Sequence, residues 1–199
     1  MKAELRRRLR AAMAAIERQE LLSRSAAACH LLAEQEEFRG AQTIMAYLSL
    51  PYELDTTTLV LSAWQAGKRV LAPKVDWEQR RMLPIEIRSL TTDLVEGDLG
   101  LREPAQGVPV PVADIELLIV PGLGFDRSGN RLGRGRGFYD RLLRHSDFGG
   151  TACGLALAEQ VLPVIPVGAG DSPLDMLVTD RSVLRFPARR SGRAQAESE

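Results

Sequence analysis

Residues 115–120, IELLIV, run without a break into PGLGFDRSGNRLGRGRGFYDRLLRH, and no other stretch restricts the fold as much. The apolar run, in which only Glu116 is polar, has the composition of a strand buried on both faces, as parallel strands are. Such a strand, followed by a loop and a helix that opens near Phe138, belongs to an α/β sheet. Ligands of open α/β sheets gather outside the carboxyl ends of the strands. The glycines at 129, 133, 135 and 137 permit positive φ and close backbone approach. Amide groups exposed in that way, ahead of a helix, form a cradle for an anion. Across residues 122–141, Arg127, Arg131, Arg134, Arg136 and Arg141 stand against Asp126 and Asp140. The whole chain is neutral, with 26 basic and 26 acidic residues, so this positive charge is local. It gives no general pull toward nucleic acid or membrane.

Two other readings fit the same residues. One is a surface loop in which glycines make turns and arginines face water. The other takes GRGRGF as an RNA-binding patch, although such patches sit in repetitive disordered tracts and this one occurs once, between a strand and a helix. Neither GxxxxGK[ST] nor GxGxxG is present.

Elsewhere, short apolar runs alternate with helical patterns. Residues 2–17 read as a helix with Leu5, Leu9, Ala12 and Ile16 along one stripe. Residues 23–36 read as a second helix capped by Ser23 or Ser25. TIMAYLSL (43–50) reads as a buried strand, 56–66 as a helix ending at Gly67, and RVLAP (69–73) as a strand stopped by proline. RMLPIEI (81–87) reads as an edge strand, because proline cannot donate to a central ladder. Residues 96–111 look irregular, and 152–156 and 175–178 read as further strands. The pattern predicts an α/β fold in one domain over residues 1–187, with a tail at 188–199 that lacks apolar periodicity and reads as disordered. Cys29 and Cys153, with no CxxC, suit reduced thiols and a cytoplasmic protein. The N-terminus has no apolar core of a signal peptide, and no apolar run approaches the roughly 20 residues that span a bilayer, so no membrane is expected.

The string PGLGFDRSGNRLGRGRGFYDRLL closely resembles the signature of the 5-formyltetrahydrofolate cyclo-ligase family, whose core is PGLxFD, a glycine, then RLGxGxGxYDR. The resemblance continues in order through KxxLR (2–6), YLSLPYELDT (47–56), GKRVLAP (67–73), LGLREP (99–104) and the closing D…D-apolar-apolar-T (171–179). It implies an α/β fold of three α/β/α layers with a mainly parallel sheet, like phosphosugar isomerases and CoA transferases. It also implies ATP as co-substrate, Mg²⁺, and conversion of 5-formyltetrahydrofolate, with or without a polyglutamate tail, to the 5,10-methenyl form with release of ADP and phosphate. The expected state is a monomer or weak dimer with no nucleic-acid partner.

By the same resemblance, Lys2, Arg6, Arg131, Leu132, Gly133, Arg134, Gly135, Arg136, Gly137, Phe138 and Tyr139 would hold ATP. Arg134, Arg136 and Tyr139 would lie at the chemistry, Leu50, Glu53 and Asp55 at the pterin, and Asp140 and Asp175 at Mg²⁺, with Asp171 as rival to Asp175. In the family, position 136 is basic or glycine, and tyrosine is common where Phe138 stands. Plainer roles remain open: a solvated basic face for the first helix, to which Arg7, Arg8 and Arg10 are assigned, an N-cap for Asp55, a first-turn acid for Asp140 and a loop acid for Asp175. His30 and His145 read as incidental, Trp64 as packing, and Trp77 lies in the VDWEQRR loop. A phosphate-ligand enzyme without a pterin pocket would be favoured if Glu53 and Asp55 lay remote from the glycine loop.

Overall fold

The computed structural model describes residues 1–97 and 102–187. The elements run α1 (Lys2–Ala14), α2 (Arg18–Ala33), α3 (Glu36–Gly40), β1 (Thr43–Met45), α4 (Thr57–Gln65), β2 (Arg69–Asp76), β3 (Arg81–Glu86), β4 (Leu94–Glu96) and β5 (Arg102–Pro104). They continue with β6 (Leu117–Val120), β7 (Gly124–Asp126), β8 (Arg131–Leu132), α5 (Phe138–Leu143), β9 (Thr151–Ala156), β10 (Val161–Leu162), β11 (Met176–Thr179) and β12 (Val183–Arg185). A seven-stranded sheet in the order β12-β11-β9-β6-β1-β2-β3 forms the centre. Its five inner strands are parallel, and β3 and β12 close the edges antiparallel.

Alternation along the inner strands sends apolar side chains to both faces. Ile44, Leu117, Ile119, Cys153, Leu155 and Val178 join one core with α2 and α4. Met45, Leu118, Val120, Ala152 and Leu177 join the other, under α5, Phe125, Phe148 and Leu174. The fold is thus α/β with a large, mainly parallel central sheet. The second outer layer is built from the short α5, loops and a small sheet, β10-β7-β8.

Several sequence expectations are corrected by packing. The first helix ends at Ala14, and Met13, not Ala12, continues its buried stripe, Ala12 being exposed. The second helix begins at Arg18, so Ser25 is not a cap but a buried mid-helix hydroxyl that accepts the Asp55 amide at 3.0 Å. TIMAYLSL is regular only over Thr43–Met45, although burial continues to Leu48. Pro73 does not stop β2, which runs to Asp76 with Pro73 opposite Pro84 on β3. Two prolines cannot exchange amide bonds, so their pair is the non-hydrogen-bonded kind, with both nitrogens facing away from the ladder. The edge position of residues 81–87 is as expected. At the start of 96–111, the structure adds a two-stranded ladder in which β4 (Leu94–Glu96) pairs with β5. Part of LGLREP and the 188–199 tail lie outside the described residues.

Candidate active site

The segment that reads as one long loop after β6 is folded in two parts. First comes a hairpin: β7 pairs antiparallel with β8, joining Phe125 to Arg131. Asp126, 1% exposed, organises its turn: one carboxylate oxygen accepts the amides of Ser128 (2.9 Å) and Asn130 (3.0 Å), the other the Asn130 side chain (3.0 Å) and the Ile165 amide (2.9 Å). Burial alone would raise this carboxyl, yet these bonds hold it below the usual range. Gln160 supports the start of the segment by donating to the carbonyls of Gly122 (3.0 Å) and Leu123 (3.2 Å).

Then comes the glycine loop, residues 133–137, which β8 delivers to the carboxyl end of the sheet. Gly135 (φ 102°) and Gly137 (φ 69°) take backbone conformations that L side chains rarely adopt. The loop walls a cleft of about 830 Å³, shared with the segments that follow β1, β2 and β6 and with one face of α1. Lys2, Arg6, Arg10 and Ala14 line it at four-residue spacing, while Leu5 and Leu9 pack on Leu123, Leu132 and Ile165. Arg6 Nε donates to the Gly133 carbonyl at 2.9 Å, tying α1 to the loop. Lys2 pairs with Asp171 at 2.5 Å.

The structure gathers most of the residues singled out in the sequence. Lys2, Arg6, Leu50, Glu53, Arg131, Leu132, Gly133, Arg134, Gly135, Arg136, Gly137, Phe138, Tyr139 and Asp140 all line the cleft. Arg134 spans it: Nη2 and Nε donate to Glu53 Oε1 at 2.7 and 3.0 Å, and its guanidinium lies 5.4 Å from the Tyr52 ring centroid. Glu53 Oε2 accepts the Leu50 amide at 3.0 Å, so this carboxylate fixes its own turn and one loop arginine. Glu53 is therefore not remote from the glycine loop, so the condition set for a phosphate enzyme without a pterin pocket is not met by Glu53, although Asp55 lies outside the cleft. GRGRGF is exposed over Arg134–Arg136, yet it is held by contacts to α1, Glu53 and Trp77.

Two acids are placed differently. Asp55 lies outside the main cleft, in a smaller neighbouring pocket, and accepts the amide of Thr57, the first residue of α4, at 2.7 Å, while Thr56 is the N-cap residue. Asp175 lies outside the cleft as well, and its carboxylate accepts the Ala152 amide of β9 at 2.7 Å. Asp140 receives Arg131 Nη2 at 2.9 Å and the Ser172 amide at 3.1 Å. Asp140 and Asp175 thus do not meet in the cleft, whose acids are Asp140, Asp171, Glu53 and Glu103. Among the described residues, no group of three or more His, Cys, Asp or Glu could hold a metal ion.

Burial sets the electrostatics. Arg131, 8% exposed, is pulled below the ordinary guanidinium value by desolvation, opposed by Asp140, and stays charged. The Tyr139 phenol is pushed well above its usual value by burial and by neighbouring Glu53, against the opposing pull of Arg131, so it stays protonated and keeps its proton for a hydrogen bond.

Sequence reasoning missed Arg10, Tyr52, Trp77 and Arg102 as cleft residues. For Arg10 a signal existed, because Lys2, Arg6 and Arg10 repeat every four residues and must share a helix face.

Fold and cleft together define a class: an α/β protein with an arginine-walled ligand cleft at the carboxyl ends of a mainly parallel sheet. Within that class, the chain belongs to the 5-formyltetrahydrofolate cyclo-ligase family, whose model matches residues 1–180. The 5-formyltetrahydrofolate cyclo-ligase of Mus musculus is 28% identical over 192 residues, 92% of this chain and 93% of the relative. That of Escherichia coli K12 is 35% identical over 146 residues, 72% of this chain and 80% of the relative. The NMR structure of Aquifex aeolicus 5,10-methenyltetrahydrofolate synthetase matches with a TM-score of 0.82 at 30% identity, covering 100% of this chain and 99% of that one. The Mycoplasma pneumoniae synthetase, 20% identical, shares the fold with a TM-score of 0.73, covering 90% of this chain and 98% of that one.

Proposed function

We propose that this chain is an ATP-dependent 5-formyltetrahydrofolate cyclo-ligase in which the cleft holds the phosphates of ATP against the glycine loop and the pterin beside Glu53. The observation that carries the reading is the Arg134–Glu53 contact, which puts the candidate phosphate and pterin groups within one cleft.

The chemistry demands such closeness. A formyl amide oxygen leaves poorly, so N10 cannot close the ring onto the formyl carbon directly. When that oxygen takes the γ-phosphoryl group, a new O–P bond forms, the β–γ bridge breaks and ADP leaves. N10 then attacks the formyl carbon and gives up its proton, the C–O bond breaks, and phosphate departs with the former formyl oxygen and can carry that proton away. No side-chain nucleophile is needed; the protein must align two substrates and balance phosphoryl charge. Lys2, Arg6, Arg10 and the loop amides supply positive charge along the triphosphate, with Arg134 and Arg136 nearest the transferred group. Tyr139, held protonated, donates a hydrogen bond rather than a proton. Because α5 has only six residues, the loop itself, not a helix dipole, is the cradle.

Asp140 and Asp171 are paired with Arg131 and Lys2, so neither stands as a ready ligand for a metal ahead of ATP binding. Mg²⁺ enters this reading as the counter-ion that arrives on ATP, held by phosphate oxygens and water. A cytoplasmic setting agrees with Cys29, whose thiol burial pushes up to about 12, and with buried Cys153. No helix among the described residues is long and apolar enough to cross a membrane.

The test is to supply purified protein with 5-formyltetrahydrofolate, ATP and Mg²⁺ and follow the near-ultraviolet band of the methenyl product. Turnover is expected, and Arg134→Ala should lower kcat/KM roughly a hundredfold with the fold intact. A well-folded protein that forms neither product nor ADP would refute the reading.

A further inference from the structure

The glycine loop has a third support that the cleft residues do not account for, at the tip of the β2–β3 hairpin. Arg141, one turn into α5, does not line the cleft. Its Nη2 donates to the Arg136 carbonyl at 3.0 Å, and its Nε to the Arg80 carbonyl at 2.6 Å. Arg80 is the one non-glycine residue at positive φ (51°) among the described residues. The same guanidinium lies 5.0 Å from the Phe138 ring centroid, Phe138 meets Trp77 edge to face at 5.4 Å, and Arg136 lies 5.3 Å from the Trp77 ring. Hairpin tip, loop and helix are thereby stapled at both the backbone and the side chain of Arg136.

We propose that Arg141 and Trp77 are positioning residues: Arg141 clasps the Arg136 carbonyl to the hairpin tip, and Trp77 seats the Arg136 guanidinium toward the phosphates. The proposal rests on the reading of the loop as the ATP-phosphate site and adds the hairpin tip to it. A loop with glycines at 133, 135 and 137 would otherwise pay conformational entropy on each binding event. A planar guanidinium is needed, because two carbonyls on different segments must be reached from one rigid fork, which an ammonium does not reproduce. Trp77 needs only an aromatic face under the cation.

The experiment compares Arg141→Ala, Arg141→Lys, Trp77→Phe and Trp77→Ala with the native protein. KM for each substrate, thermal midpoint and amide exchange across residues 133–137 in the ligand-free protein are measured. Arg141→Ala and Arg141→Lys should both raise KM for ATP roughly five- to twentyfold, with KM for the folate within twofold, the midpoint nearly unchanged and loop exchange faster. Trp77→Phe should stay near native, while Trp77→Ala follows Arg141→Ala. Unchanged loop exchange, or a parallel rise in both KM values, would overturn the proposal, as would full rescue by lysine. Should the native protein not use ATP, the phosphate reading falls, and loop exchange alone decides whether the clasp exists.

Discussion

Asp126 looks from sequence like one of two acids diluting an arginine-rich loop, and its structure gives it a different task. Four hydrogen bonds converge on a carboxylate that is almost entirely buried, and together they hold the turn whose second strand delivers Arg131 and the glycine loop. Asp126→Ala would leave buried donors without partners, so a loss of about 3 kcal/mol in unfolding free energy is expected from denaturant titration. The pH dependence has a definite sign. Because the folded carboxyl titrates below its unfolded value, its stabilisation is fully present above the unfolded pKa of about 4 and is lost as pH falls through the lower folded value. The native protein should therefore lose stability more steeply than Asp126→Asn below pH of about 4, and equal slopes would remove the electrostatic part of this account. The PGLxFD string marks the residue, but nothing in its spacing distinguishes an acid that binds ligand from one that binds its own turn. The same ambiguity affected Asp55 and Asp175, both of which spend their carboxylates on backbone amides.

At the scale of elements, α1 shows what periodicity can and cannot disclose. Its apolar stripe was legible, since Leu5 and Leu9 stand where a 3.6-residue period puts them. The choice of Met13 over Ala12 was not, because it depends on where the sheet lies. The basic face was also legible in part: once Lys2 and Arg6 are placed at the cleft, Arg10 follows by geometry. Arg10→Ala should raise KM for ATP roughly fivefold, an effect of about 1 kcal/mol, whereas Arg8→Ala, exposed and outside the cleft lining, should leave it unchanged. Equal effects from both would mean that α1 acts through diffuse charge, and raising the salt would then erase the difference from native. The start of α2 and the ends of β1 and β2 were the hardest to bound. β1 is three residues long in an eight-residue apolar run, because burial persists at the carboxyl end where the chain turns into the cleft. β2 continues through Pro73 because its partner there is another proline.

Over the whole molecule, the alternation of apolar strands with helices disclosed the α/β class, since a parallel sheet must be covered on both faces. The small sheet β10-β7-β8 escaped notice because strands of two or three residues carry too few positions for any period to show. What no local pattern could give is the meeting of Glu53 and Arg134 across 81 residues of sequence, which joins the two halves of the cleft. That junction is the basis of the central claim, that the oxygen of the formyl group takes the phosphoryl group directly within one site. The decisive measurement uses 5-formyltetrahydrofolate labelled with ¹⁸O in the formyl group, turned over with ATP, and mass analysis of the phosphate released. One labelled oxygen is expected in each phosphate formed per methenyl product. Phosphate carrying only solvent oxygen, at full turnover, would contradict that claim.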